Sequence, residues 1–256
     1  MKVVILAGGF GSRISEYTEA IPKPMIKIGD KPILYHIMNY YASYGHNEFI
    51  IALGYKSEII KDYFLNYKVL NSDFTINMSS EQITVHNKSS IDWKITLVDT
   101  GSNAMTGGRL IKLKKFIGKQ DFMLTYGDGL SNVDLKKLLK FHKNHNKMVT
   151  VTAVRPSARF GELKIVNDKV ERFEEKPQIS DGWINGGFFV MKSIFIDLIK
   201  DEKTILERAP LEKVAIMNEF NAYKHNDFWH CMDTKRDKDR LEEIYYSGKV
   251  PWIIND

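Results

Sequence analysis

The sequence predicts an α/β fold built on a doubly wound, mixed but mainly parallel sheet, in one domain of 256 residues. Three observations predict it. Lys2 to Leu6 is a short β-branched apolar run suited to a parallel strand covered on both faces, and it opens directly into Ala7-Gly8-Gly9-Phe10-Gly11. Strand-like and helix-like segments then alternate along the chain. Tyr126-Gly127-Asp128-Gly129 sets an acid between glycines at the carboxyl end of an apolar strand, where open α/β sheets receive ligands.

Taken in order, the strand at 2–7 and its glycine loop lead to a helix from Ile33 to Tyr44, which Gly45 ends. Phe49 to Leu53 reads as the second strand. Lys56 to Asn66 reads as a helix because Ile59, Ile60, Tyr63 and Phe64 share one face. Strand-like pieces at 74–78, 82–87 and 93–99, divided by polar turns, predict a hairpin excursion before a strand of the main sheet. Thr106 to Phe116 is a helix with a threonine cap, and Phe122 to Tyr126 the next strand. Strands follow near 148–154, 162–166, 170–174, 184–191, 220–224 and 228–232. Helices follow near 194–200, 203–217 and Lys235 to Tyr246. No repeat or low-complexity linker interrupts the series, so the second half is expected to extend the same sheet.

Composition narrows the function classes. Hydrophobic residues make up 43% and no apolar run approaches the roughly 18 residues of a spanning helix, so a soluble protein without membrane contact is expected. The amino terminus is a strand without a basic leader, and the single cysteine, Cys231, has no disulfide partner. Both suit a cytoplasmic protein, with Cys231 read as a small core residue. The net charge of +5 is spread over helix faces; the densest lysine run, 136–145, alternates with Leu135, Leu138 and Leu139 as an amphipathic helix. His142 and His145 on it read as surface residues, and no nucleic-acid partner is expected. Tyr40, Tyr41 and Tyr44 read as helix packing or a subunit contact, and His225 and Trp229 as core packing before the border of a sugar pocket.

The glycine loop carries the first chemistry. Its backbone N–H groups can approach anionic oxygens without side chains in the way, Arg13 and Lys23 add mobile cations, and Pro22 and Pro24 restrict the backbone around Lys23. A plain strand-to-helix turn would also fit the glycines alone. The spacing is neither a Walker A loop nor a dinucleotide fingerprint. Asp128 can hold a divalent cation against phosphate or simply cap a turn, and Asp233, before the last helix, can do the same or serve as its N-cap. Glu175-Lys176, and Asn185 after them, offer a carboxylate, an ammonium and an amide for a phosphorylated sugar, or an ordinary surface ion pair.

Gly8-Gly9-Phe10-Gly11-Ser12-Arg13 followed by Pro22-Lys23-Pro24-Met25 resembles the signature of the sugar-phosphate nucleotidyltransferases, and the resemblance runs through nearly the whole chain. Ser12 replaces the commoner threonine, and Ile21 stands where a lysine is often found. The resemblance implies the nucleotide-diphospho-sugar transferase fold, a Rossmann-like sheet with a nucleotide-binding half, 1–130, and a sugar-phosphate-binding half, 131–256. It implies Arg13 and Lys23 as catalytic residues. Nucleotide contacts would come from Leu6, Ala7, Gly8, Gly9, Gly11 and Ser12, and further from Arg13, Lys23, Gly127 and Asp128. Gly161, Glu175, Lys176, Asn185 and Gly186 would bind the sugar phosphate, and Asp128 and Asp233 one Mg2+ ion.

Base choice would fall to Thr106, Gly107, Gly108 and Arg109, at a helix start whose exposed N–H groups can meet a base edge or a phosphate. Met105-Thr106-Gly107-Gly108-Arg109-Leu110 is similar to the cytidylyl branch. That implies CTP and α-D-glucose 1-phosphate as substrates, CDP-glucose and pyrophosphate as products, and supply of deoxysugars to a bacterial surface polysaccharide such as O antigen. It also implies a homo-oligomer, with a hexamer among the forms. Two alternatives stay open: transfer to another sugar or polyol phosphate, and a catalytically silent nucleotide-sugar-binding homologue.

Overall fold

A computed structural model describes residues 1–86, 91–155, 162–166, 169–174 and 182–254. The chain runs through β1 (Val3–Leu6), α1 (Ser15–Thr18), β2 (Lys27–Ile28), β3 (Lys31–Pro32), α2 (Ile33–Ser43), β4 (Glu48–Leu53) and α3 (Ser57–Leu70). It continues through β5 (Phe74–Asn77), β6 (Gln82–Val85), β7 (Lys94–Asp99), α4 (Thr106–Ile117), β8 (Phe122–Tyr126), β9 (Gly129–Ser131) and α5 (Leu135–His145). Then come β10 (Val149–Val154), β11 (Glu162–Val166), β12 (Lys169–Glu174), β13 (Ile184–Met191), α6 (Ala209–Ile216), β14 (Phe220–His225), β15 (Trp229–Cys231) and α7 (Lys235–Tyr246).

Seven strands form the central sheet in the order β14-β10-β13-β8-β1-β4-β7. Only β13 runs against its neighbours, so the sheet is mixed but mainly parallel, as expected. Strand alternation divides the core. Val3 and Ile5 enter the layer built with α2, and Val4 and Leu6 the layer built with α4, all of them buried. Fully burying one such side chain contributes roughly 1.5–3 kcal/mol, which is why β1 has no polar residue between Val3 and Leu6. β1 lies between β4 and β8, so the chain leaves it in both directions across the sheet. That topological switch point opens a crevice at the strands' carboxyl ends.

Two departures from the expected elements matter for the site. β15 does not join the main sheet; it pairs antiparallel with β9, a three-residue strand too short to show periodicity, with Cys231 opposite Gly129. The helix expected over 203–217 begins only at Ala209, and the residues before it form an irregular segment that packs on the start of α4. The 74–99 region forms the expected β5–β6 hairpin followed by the sheet strand β7. Among the described residues β11 and β12 pair only with one another.

His142 corrects the sequence reading. It is buried, and its Nδ1 lies 2.7 Å from Thr150 Oγ1, which His145 Nε2 also approaches at 2.8 Å. The lysine-rich face of α5 turns outward as expected, but His142 faces β10 instead. Tyr41 is fully buried against Phe188, and the Tyr40 hydroxyl donates to Val133 O at 2.6 Å, so both tyrosines pack the core.

Candidate active site

β1 ends in the glycine loop because Gly11 takes φ +65°, and a Cβ there would stand 2.7 Å from Thr18 Cγ2. The turn sends Arg13 and Lys23 back across the crevice. Asp128 leaves the end of β8, and Asp233 follows β15. The β9–β15 ladder, closed by a bond from Met232 N to Asp128 O at 2.9 Å, brings these two distant segments side by side.

The four charges meet. Lys23 Nζ lies 2.5 Å from Asp128 Oδ2 and 2.7 Å from Asp233 Oδ1, and Arg13 Nη1 lies 2.6 Å from Asp233 Oδ2. Burial pulls the Lys23 ammonium down, but the Asp128 charge and hydrogen bonds to Asp128 and Asp233 outweigh it, and its pKa is raised. Cys231 is half-buried beside them rather than in the core. One ligand atom each of Asp128, Cys231 and Asp233 lie within 4.8 Å of one another. Burial, then the Asp128 carboxylate, pushes the Cys231 thiol up. Asp233 is not the N-cap of α7: Thr234 is, in a capping box with Asp237.

The cavity around this cluster measures about 810 Å³. Leu6, Ala7, Gly8, Gly9, Gly11 and Ser12 line it, as do Arg13, Lys23, Gly127, Asp128 and Asp233. Thr106, Arg109, Asn185 and Gly186 line it too, whereas Gly107 and Gly108 do not. Trp229 borders the cavity, its Nε1 donating to Gly186 O at 2.7 Å, whereas His225 is bonded to Phe228 O and does not. Gly161, Glu175 and Lys176 lie outside the described residues.

The start of α4 differs from expectation. Thr106 is its first helical residue rather than its cap, and Gly107 N and Gly108 N donate to Thr204 O at 3.0 and 3.2 Å. Those N–H groups are spent on the neighbouring segment, not exposed to a ligand. The Thr106 hydroxyl donates to Glu207 Oε2 at 2.7 Å, and Glu207 Oε1 accepts the Tyr126 hydroxyl at 2.5 Å. Asn185 Nδ2 in turn donates to Tyr126 Oη at 3.2 Å. Glu207 joins the 106 side of the cavity to the 185 side. Sequence reasoning missed it because nothing in Leu206-Glu207-Arg208 marks a site locally.

Comparison with known proteins shows the family of the chain. A family model described as Nucleotidyl transferase matches residues 2–234. A glucose-1-phosphate cytidylyltransferase of Salmonella typhi is 47% identical over 253 residues, spanning 98% of this chain and 98% of that protein. A Bacillus subtilis (strain 168) protein described as "Probable glucose-1-phosphate cytidylyltransferase" is 42% identical over 99% of this chain and 100% of its own. Among solved structures, HddC from Yersinia pseudotuberculosis superposes with a TM-score of 0.70 at 25% identity, covering 95% of this chain and 99% of that one.

Proposed function

This chain belongs to the nucleotidyl transferase family, and we propose that it is a glucose-1-phosphate cytidylyltransferase, converting CTP and α-D-glucose 1-phosphate to CDP-glucose and pyrophosphate. The observation that carries this reading is 47% identity to the Salmonella typhi enzyme over 98% of both chains. The meeting of Arg13, Lys23, Asp128 and Asp233 in one cavity is consistent with it.

The sugar phosphate is already ionised at neutral pH, so the reaction needs alignment and charge rather than a strong base. One of its oxygens attacks the α-phosphorus of CTP in line. The bond to the bridging oxygen breaks, and pyrophosphate leaves. The glycine-loop N–H groups and Arg13 hold the triphosphate, and Lys23 stabilises charge growing at the α-phosphate. Asn185 and Gly186, with Gly161, Glu175 and Lys176, hold the sugar phosphate.

The donor set fits a hard divalent cation: two carboxylates face one point, and the Lys23 ammonium already stands between them as a cation. Asp128 and Asp233 would hold Mg2+, which supplies charge neutralisation for the phosphate oxygens when bound. A homo-oligomer is supported by Phe74, Ile76, Met78 and Ile83, exposed together on the β5–β6 hairpin. Among the described residues no helix is long and apolar enough to cross a membrane. A cytoplasmic location and a role in surface-polysaccharide synthesis go with this reading.

A pyrophosphate-release screen of four nucleoside triphosphates against several sugar 1-phosphates tests the assignment. CTP with glucose 1-phosphate is expected to be the best pair. Preference for dTTP or GTP would overturn the base, and preference for mannose 1-phosphate or a polyol phosphate the sugar.

A further inference from the structure

The Arg109 side chain turns behind the glycine loop. It is 4% exposed, and its guanidinium donates to oxygens at the carboxyl ends of three adjacent strands. Nη1 reaches Leu53 O at 3.0 Å, Thr100 Oγ1 at 2.6 Å and Gly101 O at 2.9 Å. Nη2 reaches Gly8 O at 2.7 Å and Ser102 O at 3.2 Å. Two glycines leave room for it. A Cβ on Gly8 would stand 2.1 Å from Nη1, and one on Gly54 2.4 Å from Nη1 and 2.5 Å from Gly8 O.

Gly8 O also accepts Tyr55 N at 3.2 Å, so this carbonyl is held toward the interior from two sides. The peptide bond is trans, and a trans peptide sends its carbonyl and the following N–H in opposite directions. Holding Gly8 O inward therefore turns the Gly9 N–H outward. Gly9 is exposed there and lines the cavity.

We propose that Arg109 is a positioning residue for the phosphate loop: its guanidinium fixes the Gly8 carbonyl, aims the Gly9 N–H at the polyphosphate, and sets a fixed positive charge behind the loop. The ligand it serves is the phosphate chain, whatever the base. A lysine offers a single point charge and cannot span carbonyls from three strands, so the fork itself matters. This role rests on the reading of the cavity as a nucleotidyl-transfer site.

The test titrates inorganic tripolyphosphate and, separately, cytidine into the full-length protein, comparing wild type with Arg109→Lys and Gly54→Ala. Gly54 does not line the cavity, and its added methyl presses on both the guanidinium and Gly8 O, disturbing the clamped carbonyl from behind, whereas Arg109→Lys removes the fork alone. Both variants are expected to bind tripolyphosphate roughly 10–100-fold more weakly, the effect of one charge-assisted hydrogen bond, with cytidine binding unchanged. Loss of cytidine binding with tripolyphosphate unaffected would make Arg109 a base contact and overturn the proposal, as would unchanged binding of both. If a variant does not fold, the wild-type protein decides by amide NMR. The Gly9 N–H resonance is expected to shift on tripolyphosphate addition, and an unmoved resonance overturns the loop orientation. Tripolyphosphate carries no base, so a wild-type preference for a nucleotide other than CTP would defeat the assigned activity and leave this result standing.

Discussion

Met232 donates its backbone N–H to the carbonyl of Asp128 at 2.9 Å, closing the short β9–β15 ladder that brings Asp128 and Asp233 onto one cation. Backbone pairing sets the spacing of these acids, so a side-chain change at either leaves the other in place.

Asp128→Asn and Asp233→Asn are each expected to remove most activity and to raise the magnesium requirement. The double variant should be little worse than either single one, because residues acting as a unit are non-additive. Thr234 and Asp237 carry the capping of α7, so Asp233→Asn should melt close to wild type. Full activity of Asp233→Asn at limiting magnesium would leave Asp128 as the sole carboxylate ligand.

Lys23→Ala is expected to lower kcat by about 10²–10³, the typical cost of one electrostatic contact made in the transition state. It also removes the cation shared by the two carboxylates, leaving Arg13 on Asp233 alone. Its melting temperature without divalent ions should therefore fall, and added magnesium should recover it. A folded variant with unchanged turnover would remove Lys23 from the chemistry.

The fold was legible where local pattern and tertiary role agree. The β1 run, the glycine loop and the Gly127-Asp128 corner each carry their signal within a few residues. The amphipathic α5 was legible too, apart from its histidines. His142 was misplaced because histidine between lysines reads as polar, while the helix turns it onto Thr150. Cys231 and Asp233 depended on β9, three residues long, whose partner lies about a hundred positions away by ladder register. Arg109 and the glycines beside it were legible as a motif but not in direction: the same residues suit a ligand contact or a clamp on carbonyls, and only the path of the side chain decides.

Glu207 holds the Thr106 and Tyr126 hydroxyls, one on each carboxylate oxygen. Glu207→Ala should release both walls and lower kcat/KM by roughly tenfold or more, in line with two hydrogen bonds to a charged group. Glu207→Gln keeps one acceptor oxygen and is expected to lose less. Equal, unchanged kinetics in both variants would confine Glu207 to the surface.

The last expectation concerns acid stability. Burial, then the neighbouring His145, pushes His142 down to about 4 from the ordinary 6.5, with Lys192 acting in the same direction and Asp121 against it. The folded value lies below the unfolded one, so the unfolded chain holds more protons between these two pH values. Stability is complete above pH 6.5 and falls as pH drops through that window, by about 2 kcal/mol at pH 5 for a group shifted this far. His46, also pushed by burial to about 4, adds to the slope. The wild-type melting temperature should therefore decline from pH 7 to pH 5. His142→Gln, which cannot take up the proton, should show a shallower decline that His46 keeps from becoming flat. A variant whose melting temperature falls as steeply as wild type over that range would show that His142 does not titrate on unfolding and would place the acid sensitivity elsewhere.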